Sequence, residues 1–122
     1  MILDTIGLSA MADGDRKLAP LLQQARELAV PVIVLGEYQY GIRLSRYRTR
    51  YESWLAALLP NCRVLDVDER TAGIYAGIRQ ELKRTAHPIP ENDIWIAAPA
   101  RQHNALLLSR GQHFEFIPGL TP

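Results

Sequence analysis

Val30-Pro31-Val32-Ile33-Val34-Leu35-Gly36-Glu37 is the stretch on which the fold turns. Its β-branched apolar run reads as a buried parallel strand over 30–35, with Pro31 tolerated near the strand start. An acid, Glu37, follows it. Two other acids sit in similarly apolar settings: Asp4 closes the run Met1-Ile2-Leu3, and Asp93 opens Ile94-Trp95-Ile96-Ala97-Ala98. A buried carboxylate must be paired, protonated or bound to a metal. Three of them, each beside buried structure, suggest a shared cation.

The rest of the chain fits one globular domain spanning 1–122. Its 122 residues are 48% apolar and 22% charged, with both signs interspersed. That composition argues for a real core and against disorder. The net charge of +1 neither advertises nor excludes nucleic-acid binding, because local fields matter more than totals. A single cysteine, Cys62, excludes an internal disulfide and a thiolate metal cluster, and fits a cytoplasmic setting. Asp4 interrupts the apolar start, so no signal peptide is expected. No stretch approaches the ~20 apolar residues of a membrane helix.

Strand and helix signals alternate along the chain. Residues 1–4 read as a strand and 7–12 as a short helix ended by Asp13-Gly14-Asp15. Leu18, Leu21, Leu22, Ala25 and Leu28 recur at helical spacing and predict a helix over 16–28. Further helices are expected over 37–44, 46–59, 69–84 and 92–103, with strands over 63–67, 105–108 and 115–117. Such alternation implies an α/β/α sandwich: a central, mostly parallel sheet covered by helices on both faces.

In a sheet of this kind, ligand sites form beyond the carboxyl ends of the strands. Asp4 and Glu37 are expected there, and Asp93 in a helix first turn, where the dipole suits an anion. Two carboxylates about 4 Å apart repel by roughly 4 kcal/mol at an effective dielectric of about 20. A hard divalent cation, Mg2+ or Mn2+, removes that penalty and can activate water against a phosphodiester. Each acid also has a plainer reading: Asp4 as a cap for the helix at Gly7, Glu37 as a first-turn glutamate, Asp93 as a helix-start acid beside an Asn92 cap. Their order on this architecture favours the metal cluster.

The chain resembles the PIN-domain ribonucleases, and among them the VapC-type toxins of bacterial toxin–antitoxin pairs. The stretches that carry the resemblance are Met1-Ile2-Leu3-Asp4-Thr5, Val34-Leu35-Gly36-Glu37-Tyr38-Gln39-Tyr40-Gly41, Ile89-Pro90-Glu91-Asn92-Asp93-Ile94-Trp95-Ile96-Ala97-Ala98, Leu107-Leu108-Ser109-Arg110 and His113-Phe114. Each is weak alone; together they cover nearly the whole chain in order. The resemblance implies that Asp4, Glu37 and Asp93 hold Mg2+ or Mn2+ for cleavage of RNA, often a structured one such as tRNA. Hydroxyls at Thr5 and Ser109 would line the pocket. It also implies a cognate VapB-type antitoxin partner and a homodimer. Three departures weigh against a fully competent site. Gly111 stands where a fourth acid is usual, Ile6 where a polar residue is, and Pro99 falls inside the helix of Asp93.

Arg43, Arg46, Arg48 and Arg50 fall within eight residues, interleaved with Tyr40, Tyr47 and Tyr51. Arginine for phosphate and tyrosine for stacking suit RNA, an acidic antitoxin segment is the other candidate, and a solvated helix face the plainer reading. Arg79 and Arg84 are expected at the surface. His87, His103 and His113 lack a paired metal-ligand spacing. Trp54, Trp95 and Ile96 are expected in the core. The leading expectation is a metal-dependent endoribonuclease toxin. The alternative is a PIN-fold module, weakened or inactive, that binds antitoxin or RNA without cleaving. A phosphoaspartyl-transfer domain is disfavoured by Ile6 two residues beyond Asp4, and a dinucleotide-binding domain by the lack of Gly-x-Gly-x-x-Gly after the first strand.

Overall fold

The computed structural model describes residues 1–17, 20 and 27–108. Its described elements are β1 (Ile2–Leu3), α1 (Thr5–Ala12), β2 (Leu28–Pro31), α2 (Val32–Leu44), α3 (Arg48–Leu58), a 3-10 turn (Leu59–Asn61), β3 (Cys62–Leu65), α4 (Glu69–Arg84), α5 (Glu91–Gln102) and β4 (Leu107–Leu108). The expected strand over 115–117, the residues Ser109, Gly111 and His113, and most of the expected helix over 16–28 lie outside the described residues. Leu28, expected to end that helix, opens β2.

The four strands form one sheet in the order β3-β2-β1-β4, and every pairing is parallel. The chain steps from β1 to β2 to β3 in one direction. It then returns through α4 and α5 to place β4 on the other side of β1. Strand order therefore reverses at β1, and the crevice beyond its carboxyl end is where this class of sheet builds sites. Asp4 is the residue that follows β1.

The main departure from the sequence reading is at Val32. The apolar run does not continue as a strand to 35. β2 ends at Pro31, and Val32 begins a helix that runs through Glu37 to Leu44. Periodicity alone cannot separate a buried strand from a buried helix in so short a run. Here the decisive spacing lies further on. Val34, Tyr38 and Ile42, four residues apart, are the buried face of α2. Pro31, with φ −60° and ψ 142°, is the extended residue from which the helix departs. Glu37 consequently sits in the second turn of a helix, not at a strand end.

Smaller corrections follow the caps. α1 starts at Thr5 rather than 7, because Asp4 caps it. α3 is shorter than 46–59, and Pro60 lies in the 3-10 turn that stops it. α5 begins at Glu91 after Pro90, so the Asn92 cap is not formed. α4 matches its predicted span of 69–84 because its start is strongly encoded. The Asp68 carboxylate accepts the Thr71 N–H at 3.0 Å, and the Asp68 N–H donates to the Thr71 hydroxyl at 3.2 Å. The Thr71 N–H and then its hydroxyl hold the Asp68 carboxyl below the usual range.

The core has two parts that share α5. Ile96 and Ala100 join the cluster of Ile2, Leu3, Leu8, Val30, Val34, Tyr38, Ile42, Leu55, Leu65 and Leu107. Ile94, Ala97 and Ala98 instead pack with Ile78 and Leu82 of α4. A helix buried on two sides holds its course through Pro99, which is itself fully buried. The lost hydrogen bond of that proline is tolerated because packing fixes the helix. Trp54 and Trp95 are only half buried: Trp54 meets Tyr38 edge-on at 6.1 Å, and Trp95 stacks on Tyr75 at 3.9 Å. Among the described residues no helix is long and apolar enough to cross a membrane.

α4 and α5 are also tied by polar groups. The buried Thr71 hydroxyl lies 2.5 Å from Gln102 Oε1, and Arg101 pairs with Glu81 at 3.4 Å. Thr71→Val keeps the volume, removes the hydroxyl from both the cap and the Gln102 contact, and is expected to cost about 1–3 kcal/mol in urea unfolding. An unchanged midpoint would show that the helix pair is held by its apolar face alone.

Candidate functional site

Among the described residues Asp4 is the buried acid, 2% exposed. Three bonds fix its position. Its backbone N–H donates to Leu108 O of β4 at 3.4 Å, and its carbonyl accepts from Leu8 at 2.9 Å. Its carboxylate Oδ1 accepts the Gly7 N–H at 2.6 Å. The helix-cap reading of Asp4 is thus realised. It does not compete with the metal reading, because the cap bond engages Oδ1 alone.

Glu37 is brought to the same place by α2. The Thr5 hydroxyl, one residue beyond Asp4, donates to Glu37 Oε2 at 2.9 Å across 32 residues of sequence. The other oxygen, Oε1, is buried and has no hydrogen-bond partner. A buried carboxylate oxygen left unmatched is costly, and such groups are rare in folded proteins. It is the observation that fits a cation. Asp93 lies half buried in the first turn of α5, its N–H bonded to Pro90 O at 3.0 Å, with Glu91 beside it at the positive end of the helix. α2 packs against both α1 and α5.

The structure therefore bonds Thr5, the residue after Asp4, to Glu37 and sets Asp93 on a helix packed against that of Glu37. Among the described residues, no three His, Cys, Asp or Glu side chains are gathered tightly enough to form a ready-made metal cage. A full cage is not required of the protein for magnesium, which keeps several waters and takes one or two carboxylates. The donors present, carboxylate oxygens alone, fit a hard divalent cation.

Beside Thr5 an open cleft of about 470 Å³ is lined by Thr5, Ile6, Ser9, Ala10, Asp13 and Asp15. Ile6 is half exposed here, so the position two residues beyond Asp4 is an apolar wall of the cleft. Asp13 accepts a hydrogen bond from Tyr51 at 2.8 Å, which ties the end of α1 to α3. On α4, Arg79 pairs with Glu91 at 3.5 Å and donates to Tyr75 at 2.9 Å, in keeping with a surface role. Of the four arginines over 43–50, all exposed, Arg48 pairs with Glu52 at 2.6 Å. Arg46 lies 5.1 Å over the Tyr47 ring.

Sequence reasoning missed Gly7. A Cβ there would stand 2.8 Å from Leu108 O and 3.0 Å from Asp4 Oδ1. Glycine lets α1 approach β4 while its N–H reaches the Asp4 carboxylate. The only signal in the sequence was a glycine three residues after an acid, the spacing of an N-cap to its N3 donor. Gly7→Ala is expected to cost about 1–3 kcal/mol, because the obstacle is backbone that must shift. Chemical denaturation measures this; an unaltered stability would mean that α1 rides freely over β4.

Comparison with known proteins places the chain. The PIN domain family model matches residues 1–120. The chain is 32% identical over 101 residues to "Ribonuclease VapC2" of Rickettsia felis, an alignment covering 82% of this chain and 75% of that protein. It is also 32% identical over 99 residues to "Ribonuclease VapC2" of Haemophilus influenzae, covering 80% and 75%. Among solved structures it superposes on VapBC2 of Rickettsia felis bound to a promoter DNA fragment, with TM-score 0.85 and 28% identity over 98% of this chain and 93% of that one. VapBC-1 of nontypeable Haemophilus influenzae gives TM-score 0.84 and 26% identity, again over 98% and 93%. A sheet that reverses at β1 over a buried Asp4, together with a family model that matches residues 1–120, makes this chain a member of the PIN-domain family, of the VapC ribonuclease type.

Proposed function

We propose that this protein is a metal-dependent endoribonuclease, the toxin of a toxin–antitoxin pair. It hydrolyses phosphodiester bonds of a structured RNA, for which tRNA is the first candidate. Its partner is a VapB-type antitoxin, and the toxin itself pairs as a homodimer. Relatives named ribonucleases, and neighbours solved as VapBC complexes, support the class. The observation that carries the chemistry is the buried, unpartnered Oε1 of Glu37, one hydrogen bond away from the residue next to Asp4.

Asp4, Glu37 and Asp93 would hold Mg2+ or Mn2+. When bound, such an ion lowers the pKa of a coordinated water and stabilises charge on the phosphate. The chain's own residues do the preparatory work. The Gly7 N–H fixes Asp4 Oδ1, so this carboxylate does not need to be ordered when a cation arrives. Thr5 engages Glu37 Oε2 and leaves Oε1 as an unmatched acceptor, the oxygen that would face the cation. Burial of Asp4 keeps the local dielectric low and strengthens its attraction for a cation.

The competing reading, a PIN-fold module that binds without cleaving, rests on Gly111 and Ile6. Pro99 no longer supports it, because α5 continues intact through that residue to Gln102.

The test is cleavage of a tRNA and rRNA panel by antitoxin-free protein with Mg2+ or Mn2+, together with calorimetric titration of the metal. Asp4→Asn and Glu37→Gln are each expected to fall to about one hundredth of wild-type activity or less, with weaker metal binding, and chelation should abolish cleavage. Folded wild-type protein that cleaves nothing in the panel would favour the non-catalytic module.

A further inference from the structure

We infer that the turn joining α2 to α3, with the helix ends that flank it, is a landing surface for the RNA substrate. This rests on the nuclease reading above and goes beyond it by placing the substrate on a particular face. Seven residues separate Glu37 from Leu44 along α2, about 10 Å of helix at 1.5 Å per residue. That is the span of about three stacked nucleotides at 3.4 Å each. The surface therefore lies within reach of a strand whose scissile bond is at Glu37.

The residues here are exposed in a way a packed protein surface does not require. Tyr40 is 67% exposed, Leu44 71% and Tyr47 51%, against 7% for Tyr38 in the same helix. Tyr40 and Leu44 are four residues apart and share a face of α2. Around them stand Arg43, Arg46 and Arg50, all exposed. Glu52 neutralises Arg48, the fourth arginine of the segment. Arg46 already lies over one face of the Tyr47 ring. The whole chain carries only +1, so four arginines within eight residues leave the remainder net negative and concentrate the positive field at this turn.

That combination selects nucleic acid among the possible occupants. A second copy of this chain would bring the same arginines against their own kind. An acidic peptide would satisfy the arginines and leave the tyrosine rings unused. RNA uses both: guanidinium groups take phosphates, and exposed tyrosines present π-faces on which unpaired bases stack.

Binding of fluorescein-labelled tRNA, followed by anisotropy in an Asp4→Asn background that cannot cleave, tests this directly. Arg43→Gln/Arg46→Gln/Arg50→Gln is expected to weaken binding at least tenfold and to flatten the salt dependence of log K by about 2, near 0.7 per lost phosphate contact. Tyr47→Ala should weaken binding about fivefold or more with little change in that slope. Arg84→Gln, at the far end of α4, should change neither. Unchanged affinity and slope in the triple variant would overturn the proposal. So would loss of binding to an acidic peptide with tRNA binding intact. Cleavage separates this proposal from the reading beneath it. An otherwise wild-type triple variant that cleaves with unaltered KM refutes the surface and leaves the nuclease standing. Wild-type protein that binds tRNA through these arginines without cutting it refutes the nuclease and leaves the surface standing.

Discussion

The hydrogen bond from the Gly7 N–H to the Asp4 carboxylate, 2.6 Å long, is the contact on which the rest of the site depends. It forms where three constraints meet. β1 must end at Asp4 so that β2 and β4 can flank it. α1 must begin at once, because its N-terminus supplies the donor. Gly7 must lack a side chain, because Leu108 O of β4 occupies that space. The outcome is a carboxylate 2% exposed, bonded to a helix end at the carboxyl edge of a parallel sheet. Desolvating a charge this far is unfavourable unless it is compensated. The Gly7 N–H supplies part of that compensation.

Other elements are arranged around that point. α2 delivers Glu37 because its buried face, Val34, Tyr38 and Ile42, locks the rotation of the helix and leaves Glu37 directed at Thr5. α5 is gripped from two sides, by the sheet cluster through Ile96 and Ala100 and by α4 through Ile94, Ala97 and Ala98. The polar tie of Thr71 and Gln102 fixes its far end. A helix held in this way keeps its first turn, and Asp93 with it, in place despite an interior proline. The site is thus built on rigid elements, while the arginine-rich turn lies at the outer end of the same helix that carries Glu37.

Much of this was legible in the sequence, for local reasons. α4 is legible over 69–84 because Thr71, Ile74, Tyr75, Ile78 and Leu82 recur at helical spacing. Asp4, Glu37 and Asp93 stood out because each acid adjoins an apolar run, and their order resembled that of a known family. The strand expected over 30–35 was misread because β-branched residues at 32–34 suit a strand by propensity, whereas tertiary packing made them a helix. Pro31 is the local clue: it marks the end of the strand, not its start. Gly7 against Leu108, and Thr5 against Glu37, could not be read at all: both are contacts between segments distant in sequence, and neither residue type announces its partner.

On the proposed mechanism, the Asp4 carboxylate and the buried Oε1 of Glu37 form the core of a divalent-metal site. A crystal grown with Mn2+ and measured at the manganese absorption edge tests it most directly. An anomalous peak is expected within coordination distance of Glu37 Oε1 and the Asp4 carboxylate, lost in Glu37→Gln. A fully occupied ion elsewhere, with Glu37 Oε1 still unpartnered, would contradict it.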